Sequence, residues 1–361
     1  MPENSTVSAT LTPLAIQLTS GTNKPQVVEF RGALTPSQLD APVLETAALV
    51  HQAAAHDLGW MRRVDVRGGD RLRWLSGMVT NTVNDIPENG GAWNLVLNAQ
   101  GRIQGDLTVW RDGESLELEI AADQYEKLMG HLDRFIIMDD VELVSRDVGA
   151  ETVVGLTGPK SGDVLSRMGL PVPPEPFTSV RCEWNGFDLL IRRTYGTFAL
   201  HFELWTPVAG LTLLWRALST AGATFVGAAS LDAFRIAEGI PLYGVDIVER
   251  DLPQETSQTR ALHFNKGCYL GQEIVERIRS RGNVHRHLRQ LELTGSLPTP
   301  GTELLLDGTA IGHVTSAAEL SLQSGRRSFA LAMIRSEAEV KNQPLTYEGG
   351  TAMLLPQPPA L

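Results

Sequence analysis

The stretch "NKGCYLGQE", residues 265–273, carries one of only two cysteines in this 361-residue chain. Cys268 directly follows Gly267 and lies two positions after Lys266. The thiolate is the reactive form of cysteine, and a neighbouring cation or a helix N-terminus lowers the pKa of a thiol. An exposed Cys268 beside Lys266 is therefore a candidate reactive group. The alternative is a small buried apolar residue, which is the usual state of a free cysteine.

The residues that follow Cys268 favour a functional role. Apolar residues recur after it at helical spacing, namely Leu270, Ile274, Val275 and Ile278. This spacing predicts a helix that begins just after the cysteine. The free backbone N–H groups at a helix start carry positive partial charge, which stabilises a nearby thiolate. Gly267 and Gly271 leave the backbone bare on both sides of the thiol, so a ligand or partner can approach closely.

Composition excludes several classes of protein. The chain is 42% hydrophobic and 20% charged, as ordinary globular proteins are. It has no apolar run of membrane-spanning length, and its N-terminus lacks the features of a signal or transit peptide. Two cysteines are too few for a disulfide framework, an iron–sulfur cluster or a structural zinc, and Cys182 in "VRCEW" is interpreted as a core residue. We therefore expect a cytoplasmic protein without membrane association and without a metal of its own.

The order of sequence patterns predicts an α+β protein. Between residues 60 and 145, strand-like segments such as "WNLVL" and "SLELEIA" precede the amphipathic helical segment "DQYEKLMGHLDRFII". A second run of the same kind follows, and the short strands after residue 284 predict a small β-barrel. The predicted segments are a poorly structured N-terminus at 1–40, two α+β lobes over 41–283 and a C-terminal barrel over 284–361.

These segments resemble the YgfZ-type folate-binding proteins, which are relatives of the aminomethyltransferase (T-protein) of the glycine cleavage system. The resemblance rests on "KGCYLGQE", on "RIAEGIPLYGVDIVERDLPQET" before it and on "RGNVHRHL" after it. It begins near residue 56, where "HDLGWMRRVDVRGGDRLRWLSGMVTNTV" is similar to the first strand, helix and Thr-Asn segment of that superfamily. The resemblance implies a GcvT/YgfZ-like ring of three domains around a central tetrahydrofolate site. It also implies a role in iron–sulfur cluster assembly or repair, with an indirect effect on tRNA modification.

Two positions distinguish the chain from true aminomethyltransferases. That family has an aspartate where this chain has Cys268, so the sequence lies on the YgfZ side. In "NAQGRIQGDLTVW" the transferases have a pair of aspartates, whereas here Gly105 takes the first place and only Asp106 remains. General acid–base chemistry on a folate nitrogen needs a positioned carboxylate. Asp106 is thus a candidate catalytic residue together with Cys268 and Lys266; the alternative is a turn residue at the start of a strand.

The resemblance also assigns cofactor-binding residues. The superfamily binds the pterin through a glutamate, which Glu203 in "ALHFELW" matches, and a carboxylate accepts both N–H donors of a pterin edge in one bidentate contact. Arg235 matches a superfamily arginine and is expected to contact the folate glutamate carboxylates. Gly267 and Tyr269 are the other two candidate cofactor-binding residues. The alternatives are that Glu203 is an exposed strand residue and that Arg235 is solvated on a helix.

A basic cluster follows the cysteine motif. Its members are Arg277, Arg279, Arg281, His285, Arg286, His287 and Arg289. Such a cluster attracts either the polyglutamate tail of folate or RNA phosphate, and its alternative is a solvated face. The resemblance implies folate and iron–sulfur client or assembly proteins as partners. Because the formal net charge is −11, we do not expect direct nucleic-acid binding.

Three functions are compatible with these patterns. The first is a tetrahydrofolate-binding accessory protein for iron–sulfur enzymes, with Cys268 as its reactive group. The second is a folate-dependent aminomethyltransferase or demethylase that relies on Asp106. The third is a scaffold that retains only a protein-binding surface. Folate titration separates the third function from the first two.

Overall fold

The computed structural model describes residues 9–21, 24–282, 284–341, 343–359 and 361. The α-helices are α1 (Pro13–Thr19), α2 (Pro42–His51), α3 (Arg71–Met78), α4 (Ala122–Asp133), α5 (Ser161–Arg167), α6 (Leu211–Thr220), α7 (Ala228–Glu238), α8 (Gln272–Arg281) and α9 (Ser336–Lys341). The first half of the strands are β1 (Thr10–Leu11), β2 (Val27–Phe30), β3 (Ala33–Pro36), β4 (Ala54–Asp57), β5 (Met61–Arg67), β6 (Gly91–Leu97), β7 (Ile103–Asp112), β8 (Ser115–Ala121), β9 (Glu142–Ser145) and β10 (Glu151–Thr157). The remaining strands are β11 (Thr178–Trp184), β12 (Phe187–Thr194), β13 (His201–Pro207), β14 (Thr224–Phe225), β15 (Arg286–Gly295), β16 (Glu303–Leu306), β17 (Thr309–Leu322), β18 (Gly325–Arg335), β19 (Leu345–Tyr347) and β20 (Gly350–Leu354).

The first lobe is an antiparallel sheet in the order β6-β7-β8-β5-β9. Strand β8 alternates apolar and acidic residues, so Leu116 and Leu118 enter the core of the lobe, where they meet Leu128 of α4. The acidic residues Glu117 and Glu119 lie on the opposite face of the sheet and are buried as well. The second lobe, rather than water, covers that acidic face.

The second lobe has the strand order β11-β12-β13-β10-β4-β14. Strand β4 precedes the first lobe in the chain and pairs with β10, which follows that lobe, so the first lobe is an insertion between two strands of the second. The core of the second lobe combines Leu204 of β13 with Val164 of α5 and Leu214 of α6. Because the first lobe is inserted in this way, its strand β8 lies next to β12 and β13 of the second lobe.

The prediction of a poorly structured N-terminus is wrong for the described part of residues 9–40. Strand β3 pairs with both β1 and β2 in a small sheet, and α1 buries Leu14 in the core of the second lobe. Thr35 Oγ1 donates a hydrogen bond to Asp57 Oδ2 at 2.7 Å, and Thr12 donates to the same oxygen. Because Asp57 is distant in the chain from Thr12 and Thr35, short-range sequence patterns do not reveal these hydrogen bonds. Residues 1–8, 22 and 23 lie outside the described residues.

A closed barrel in the order β15-β18-β17-β16-β19-β20 follows α8. Its interior includes Leu291 of β15, Val314 of β17 and Ile334 of β18. The outside of β18 packs against α7 through Phe329 and Ile236. The predicted α+β class with a closed C-terminal barrel is therefore confirmed. Within the described ranges, no helix combines the length and the apolar composition that crossing a bilayer requires.

Candidate functional site

The two lobes enclose a cavity of about 240 Å³, here named the central cavity. Its polar lining includes Asp106 of β7, Glu119 of β8, Glu203 of β13 and Arg260. A second cavity of about 180 Å³, here named the inner cavity, shares Glu203 with it and adds Arg235. The structure therefore brings together three residues that the sequence indicated: Asp106, Glu203 and Arg235.

Asp106 is fixed at the wall of the central cavity by two side chains. Trp93 Nε1 donates a hydrogen bond to its Oδ2 at 2.8 Å, and Gln124 Nε2 donates to its Oδ1 at 2.7 Å. The Gln124 amide oxygen in turn accepts the backbone N–H of Asp106 at 3.0 Å. Asp106 lies inside strand β7, so its interpretation as a turn residue is wrong.

The neighbouring Gly105 has no room for a side chain. A Cβ at this position would lie 2.7 Å from Gln124 Oε1 and 2.7 Å from Leu128 Cδ2. Because protein interiors are close-packed, an aspartate here requires both neighbours to move. The space for a second carboxylate beside Asp106 is therefore occupied.

Glu203 is buried, so its interpretation as an exposed strand residue is wrong. Strand β13 is covered on both faces, and Trp205 Nε1 donates to Glu203 Oε2 at 3.3 Å. Burial, followed by the nearby Glu119, raises the pKa of Glu203 well above its ordinary value, and Arg192 acts in the opposite direction. Glu203 consequently holds a proton more tightly than an exposed glutamate does.

Sequence reasoning missed the ionic network behind Glu203. Arg192 of β12 donates to Glu119 Oε2 at 2.6 Å and also contacts Glu117, and Arg63 Nε donates to Glu117 Oε1 at 2.7 Å. Burial raises the pKa of Glu117, but Arg192 and Arg63 outweigh burial and lower that pKa to about 2. The acidic positions of "SLELEIA" are a visible signal, yet alternation of this kind usually indicates a solvated face. Glu119 and Arg192 are 73 positions apart in the chain, and only the fold brings them together.

Arg235 lines the inner cavity but is already paired. Its NH1 donates to Asp246 Oδ2 at 2.6 Å, and its Nε donates to Asp232 Oδ1 at 2.6 Å. The carbonyl oxygen of Ile240 accepts a third bond at 3.1 Å. The alternative of a solvated helix arginine is wrong, because the side chain is buried. The expected contact between Arg235 and a folate carboxylate has to compete with these partners.

Cys268 is exposed, so its interpretation as a buried apolar residue is wrong. It lies with the exposed Gly267 in the loop before α8, and neither residue lines the central or the inner cavity. Helix α8 begins at Gln272, with Gly271 as its N-terminal cap. The helix therefore begins later than the apolar spacing predicts, and three loop residues separate the thiol from its first turn.

The residues on either side of Gly267 and Cys268 hold the loop in place. Lys266 Nζ donates to the carbonyl oxygens of Val79 at 2.7 Å and Asn81 at 2.6 Å, and burial lowers the pKa of Lys266 to about 8. Tyr269 is buried, with the Lys266 ammonium 5.2 Å from its ring centroid. Burial, followed by Glu276, raises the pKa of Tyr269 to about 12. Neither side chain lines the two cavities, so the structure does not bring them to Glu203.

The basic cluster is largely paired with acidic residues. Arg286 Nε donates to Glu255 Oε1 at 2.8 Å, and Arg289 NH2 donates to Glu339 Oε2 at 2.5 Å. Arg277 is exposed on α8. The alternative of a solvated face is therefore correct for Arg277 and wrong for Arg286 and Arg289.

Two α+β lobes around a cavity, followed by a closed barrel, define a three-part α+β architecture. Residues 22–266 match the GCVT N-terminal domain family, and residues 285–360 match the family described as CAF17, C-terminal beta-barrel domain. The chain belongs to the GcvT family in its YgfZ-type branch, as the cysteine motif indicated.

Known proteins similar to this chain carry the name aminomethyltransferase. The protein from Chlorobium chlorochromatii is 28% identical over 308 residues, which cover 81% of this chain and 82% of that protein. The protein from Rubrobacter xylanophilus is 28% identical over 325 residues, with coverages of 87% and 84%. The crystal structure of the glycine cleavage system aminomethyltransferase T from Bartonella henselae has a TM-score of 0.85, 21% identity and 98% coverage of both chains. This structural match shows the shared fold.

Proposed function

We propose that this protein binds tetrahydrofolate in the central and inner cavities and acts in the cytoplasm as an accessory protein for assembly or repair of iron–sulfur clusters. One observation carries the proposal. The buried carboxyl of Glu203 lines both cavities, and Asp106 lines the central cavity with it. A carboxylate in this position suits the two-donor edge of a pterin.

The lining of the cavities fits a planar ligand with several heteroatoms. Among the described residues that line the cavities, three have a buried polar atom without a hydrogen-bond partner: Trp60 (Nε1) lines both cavities, His56 (Nδ1) lines the inner one, and Arg31 (Nε) lines the central one. Buried polar groups normally have partners, so these atoms favour a bound polar molecule. Bound tetrahydrofolate would supply one-carbon chemistry at its nitrogens, while Glu203 would hold its pterin edge.

The positions of Cys268 and Asp106 support the role as an accessory protein. Cys268 is exposed and outside both cavities, so it is better placed to meet another protein than the ligand at Glu203. Asp106 already accepts two side-chain hydrogen bonds, and the place of a second aspartate is filled by Gln124 and Leu128. Both features make Asp106 less suited to act as a general acid or base on folate. An effect on tRNA modification would follow indirectly, through iron–sulfur client enzymes.

Aminomethyl transfer from a carrier protein to tetrahydrofolate is the second candidate. Asp106 shares the central cavity with Glu203, and several relatives of the chain are named aminomethyltransferases. In this function Asp106 would face the reacting nitrogen, and Cys268 would be dispensable. The two candidates therefore depend on different residues.

Calorimetry with 5-formyltetrahydrofolate tests folate binding, which both candidate functions require. Glu203→Gln should weaken binding by about 1–3 kcal/mol, because the amide offers a mismatched donor to a two-donor edge. Glu183→Gln, on the exposed face of β11 in the same sheet, is the matched control and should bind as the natural protein does. Unchanged affinity in Glu203→Gln would mean that Glu203 is not the pterin anchor.

A second experiment separates the two functions. In cells that lack the chromosomal copy, Cys268→Ser should fail to restore iron–sulfur enzyme activity while the purified variant still binds folate. Cys182→Ser is the matched control and should complement. In parallel, purified protein is given an aminomethylated carrier protein, and formation of methylene-tetrahydrofolate is measured. Turnover that is lost in Asp106→Asn and kept in Cys268→Ser would establish the transferase instead.

A further inference from the structure

We infer that Arg260 binds the anionic tail of the ligand, where the central cavity meets a larger cleft that borders the barrel. The inference rests on the proposed function, because it assigns a further residue to the same ligand. The cleft has a volume of about 780 Å³, and it is named the outer cleft here. Arg260 lines both the central cavity and the outer cleft.

Among the described residues, Arg260 differs from the other arginines around these cavities because no carboxylate forms an ion pair with it. Arg31 pairs with Asp123 at 3.2 Å, and Arg289 pairs with Glu339 at 2.5 Å. In the part of the chain that the structure describes, no carboxylate oxygen lies within 4.0 Å of the Arg260 guanidinium. Asp106 and Glu238 act on Arg260 only from a distance, so this half-buried cation has no counter-ion in contact, and a ligand carboxylate would supply one.

The Arg260 guanidinium is held beside two aromatic rings. Its Cζ lies 4.0 Å from the ring centroid of Tyr195 and 4.8 Å from that of Trp93, which also binds Asp106. Burial lowers the pKa of Arg260, while Tyr195 and then Asp106 act in the opposite direction. The contacts orient the side chain without neutralising its charge.

The backbone at Arg260 is also fixed. Asn81 Nδ2 donates to the carbonyl oxygen of Arg260 at 2.9 Å, and Thr80 Oγ1 donates to that of Ala261 at 2.7 Å. Thr80 and Asn81 are the Thr-Asn segment of the first lobe. A guanidinium held at both its backbone and its side chain loses less entropy when it binds a carboxylate.

The volumes of the cavities favour Arg260 as the contact for the tail. The central and inner cavities, at about 240 and 180 Å³, share Glu203, and a ring system anchored there would occupy them. The outer cleft, at about 780 Å³, is the larger space, and Arg260 lines both this cleft and the central cavity. A guanidinium recognises a carboxylate through two parallel hydrogen bonds. Arg235 is less suited to this role because it already binds Asp232 and Asp246.

Calorimetry with two ligands tests the inference. One ligand, 5-formyltetrahydrofolate, carries the benzoyl-glutamate tail, and the other, 6-methyltetrahydropterin, lacks it. Arg260→Gln should weaken binding of the tailed ligand about tenfold to a hundredfold, which is the range for a lost charged hydrogen bond, and weaken binding of the tail-less pterin far less. Arg279→Gln is the matched control, because Arg279 also lies over an aromatic ring, 4.4 Å from the Phe264 centroid, but outside these cavities.

A more conservative variant guards against a folding defect. Arg260→Lys keeps the charge and loses the planar fork, so it should bind the tailed ligand with an affinity between those of the natural protein and Arg260→Gln. Equal losses for both ligands, or no loss for the tailed one, would refute the role of Arg260. Equal affinity of the natural protein for both ligands would also refute it, yet leave folate binding intact. Binding of neither ligand to the natural protein would remove the proposed function as well.

Discussion

Gly101 and Gly271 pack backbone against backbone. A Cβ on Gly271 would lie 3.0 Å from the Cα of Gly101 and 2.6 Å from the carbonyl oxygen of Asn98. This contact joins the turn that leads into Asp106 to the loop that carries Cys268. Two segments far apart in the chain are therefore held at a fixed separation by the absence of two side chains.

Gly271→Ala should destabilise the protein. Gly271 has a φ of +81°, which an alanine adopts only at a cost, and the added methyl would also meet the backbone of Asn98. We expect the free energy of unfolding to fall by about 1–3 kcal/mol or more in urea titrations. Gly267→Ala should change it by less than about 0.5 kcal/mol, because apart from its two chain neighbours no described residue has a heavy atom within 4 Å of the added Cβ. Equal effects of the two variants would contradict the packing argument.

Arg192→Met should destabilise the contact between the lobes. The variant leaves the buried carboxylates of Glu117 and Glu119 short of a counter-ion, which typically costs about 3–5 kcal/mol. Arg181→Met is the control, since Arg181 also reaches across to the first lobe, at Asp112, but is exposed. An exposed pair contributes about 0–1 kcal/mol, so thermal unfolding should distinguish the two variants clearly. Similar unfolding temperatures would show that the buried network contributes little.

Folate binding should release a proton from Glu203. The pKa of free Glu203 is raised by burial and by Glu119, whereas a two-donor edge requires the carboxylate. Affinity should therefore increase as the pH rises from the ordinary glutamate range toward the raised pKa. Calorimetry in buffers of different ionisation enthalpy measures the released proton, and Glu203→Gln should release none. Proton release that is equal in both proteins would assign the proton to another group.

The same shift has a defined effect on stability. The folded protein binds the Glu203 proton more tightly than the unfolded chain does, so the contribution is fully present below the unfolded pKa. It is lost as the pH rises through the folded pKa. The free energy of unfolding should fall less over this interval in Glu203→Gln than in the natural protein.

Iodoacetamide near neutral pH should label Cys268 faster than Cys182. Cys268 is exposed, whereas Cys182 is half-buried against the core of the second lobe. Burial, followed by Asp188, raises the pKa of Cys182 and reduces its thiolate fraction. Mass spectrometry of timed samples gives both rates, and Cys268→Ser should retain only the slow one. Faster labelling of Cys182 would show that the loop protects Cys268.

Lys266→Met separates the two roles of this lysine. Its ammonium binds the carbonyl oxygens of Val79 and Asn81, so the variant should unfold at a lower temperature. If Lys266 also activates the thiol, labelling of Cys268 should slow in the variant even under conditions where it remains folded. An unchanged labelling rate would leave Lys266 with a positioning role alone.

The sequence by itself determined the features that depend on near neighbours in the chain. The alternation in "SLELEIA" predicted strand β8, the spacing after Cys268 predicted helix α8, and the short strands after residue 284 predicted the barrel. The cysteine motif indicated the family. Such patterns are readable because helix and strand periods repeat within a few residues.

Only the tertiary structure decided which residues share a site. It brought Glu203 and Asp106 to one cavity, paired Arg235 with Asp246, and left Cys268 on the surface away from both. It also ordered residues 9–21 against the second lobe, where short patterns suggested little structure. These outcomes depend on burial and charge pairing between segments distant in the chain. A local pattern shows that a carboxylate lies on one face of a strand, but it does not show whether water or another lobe covers that face.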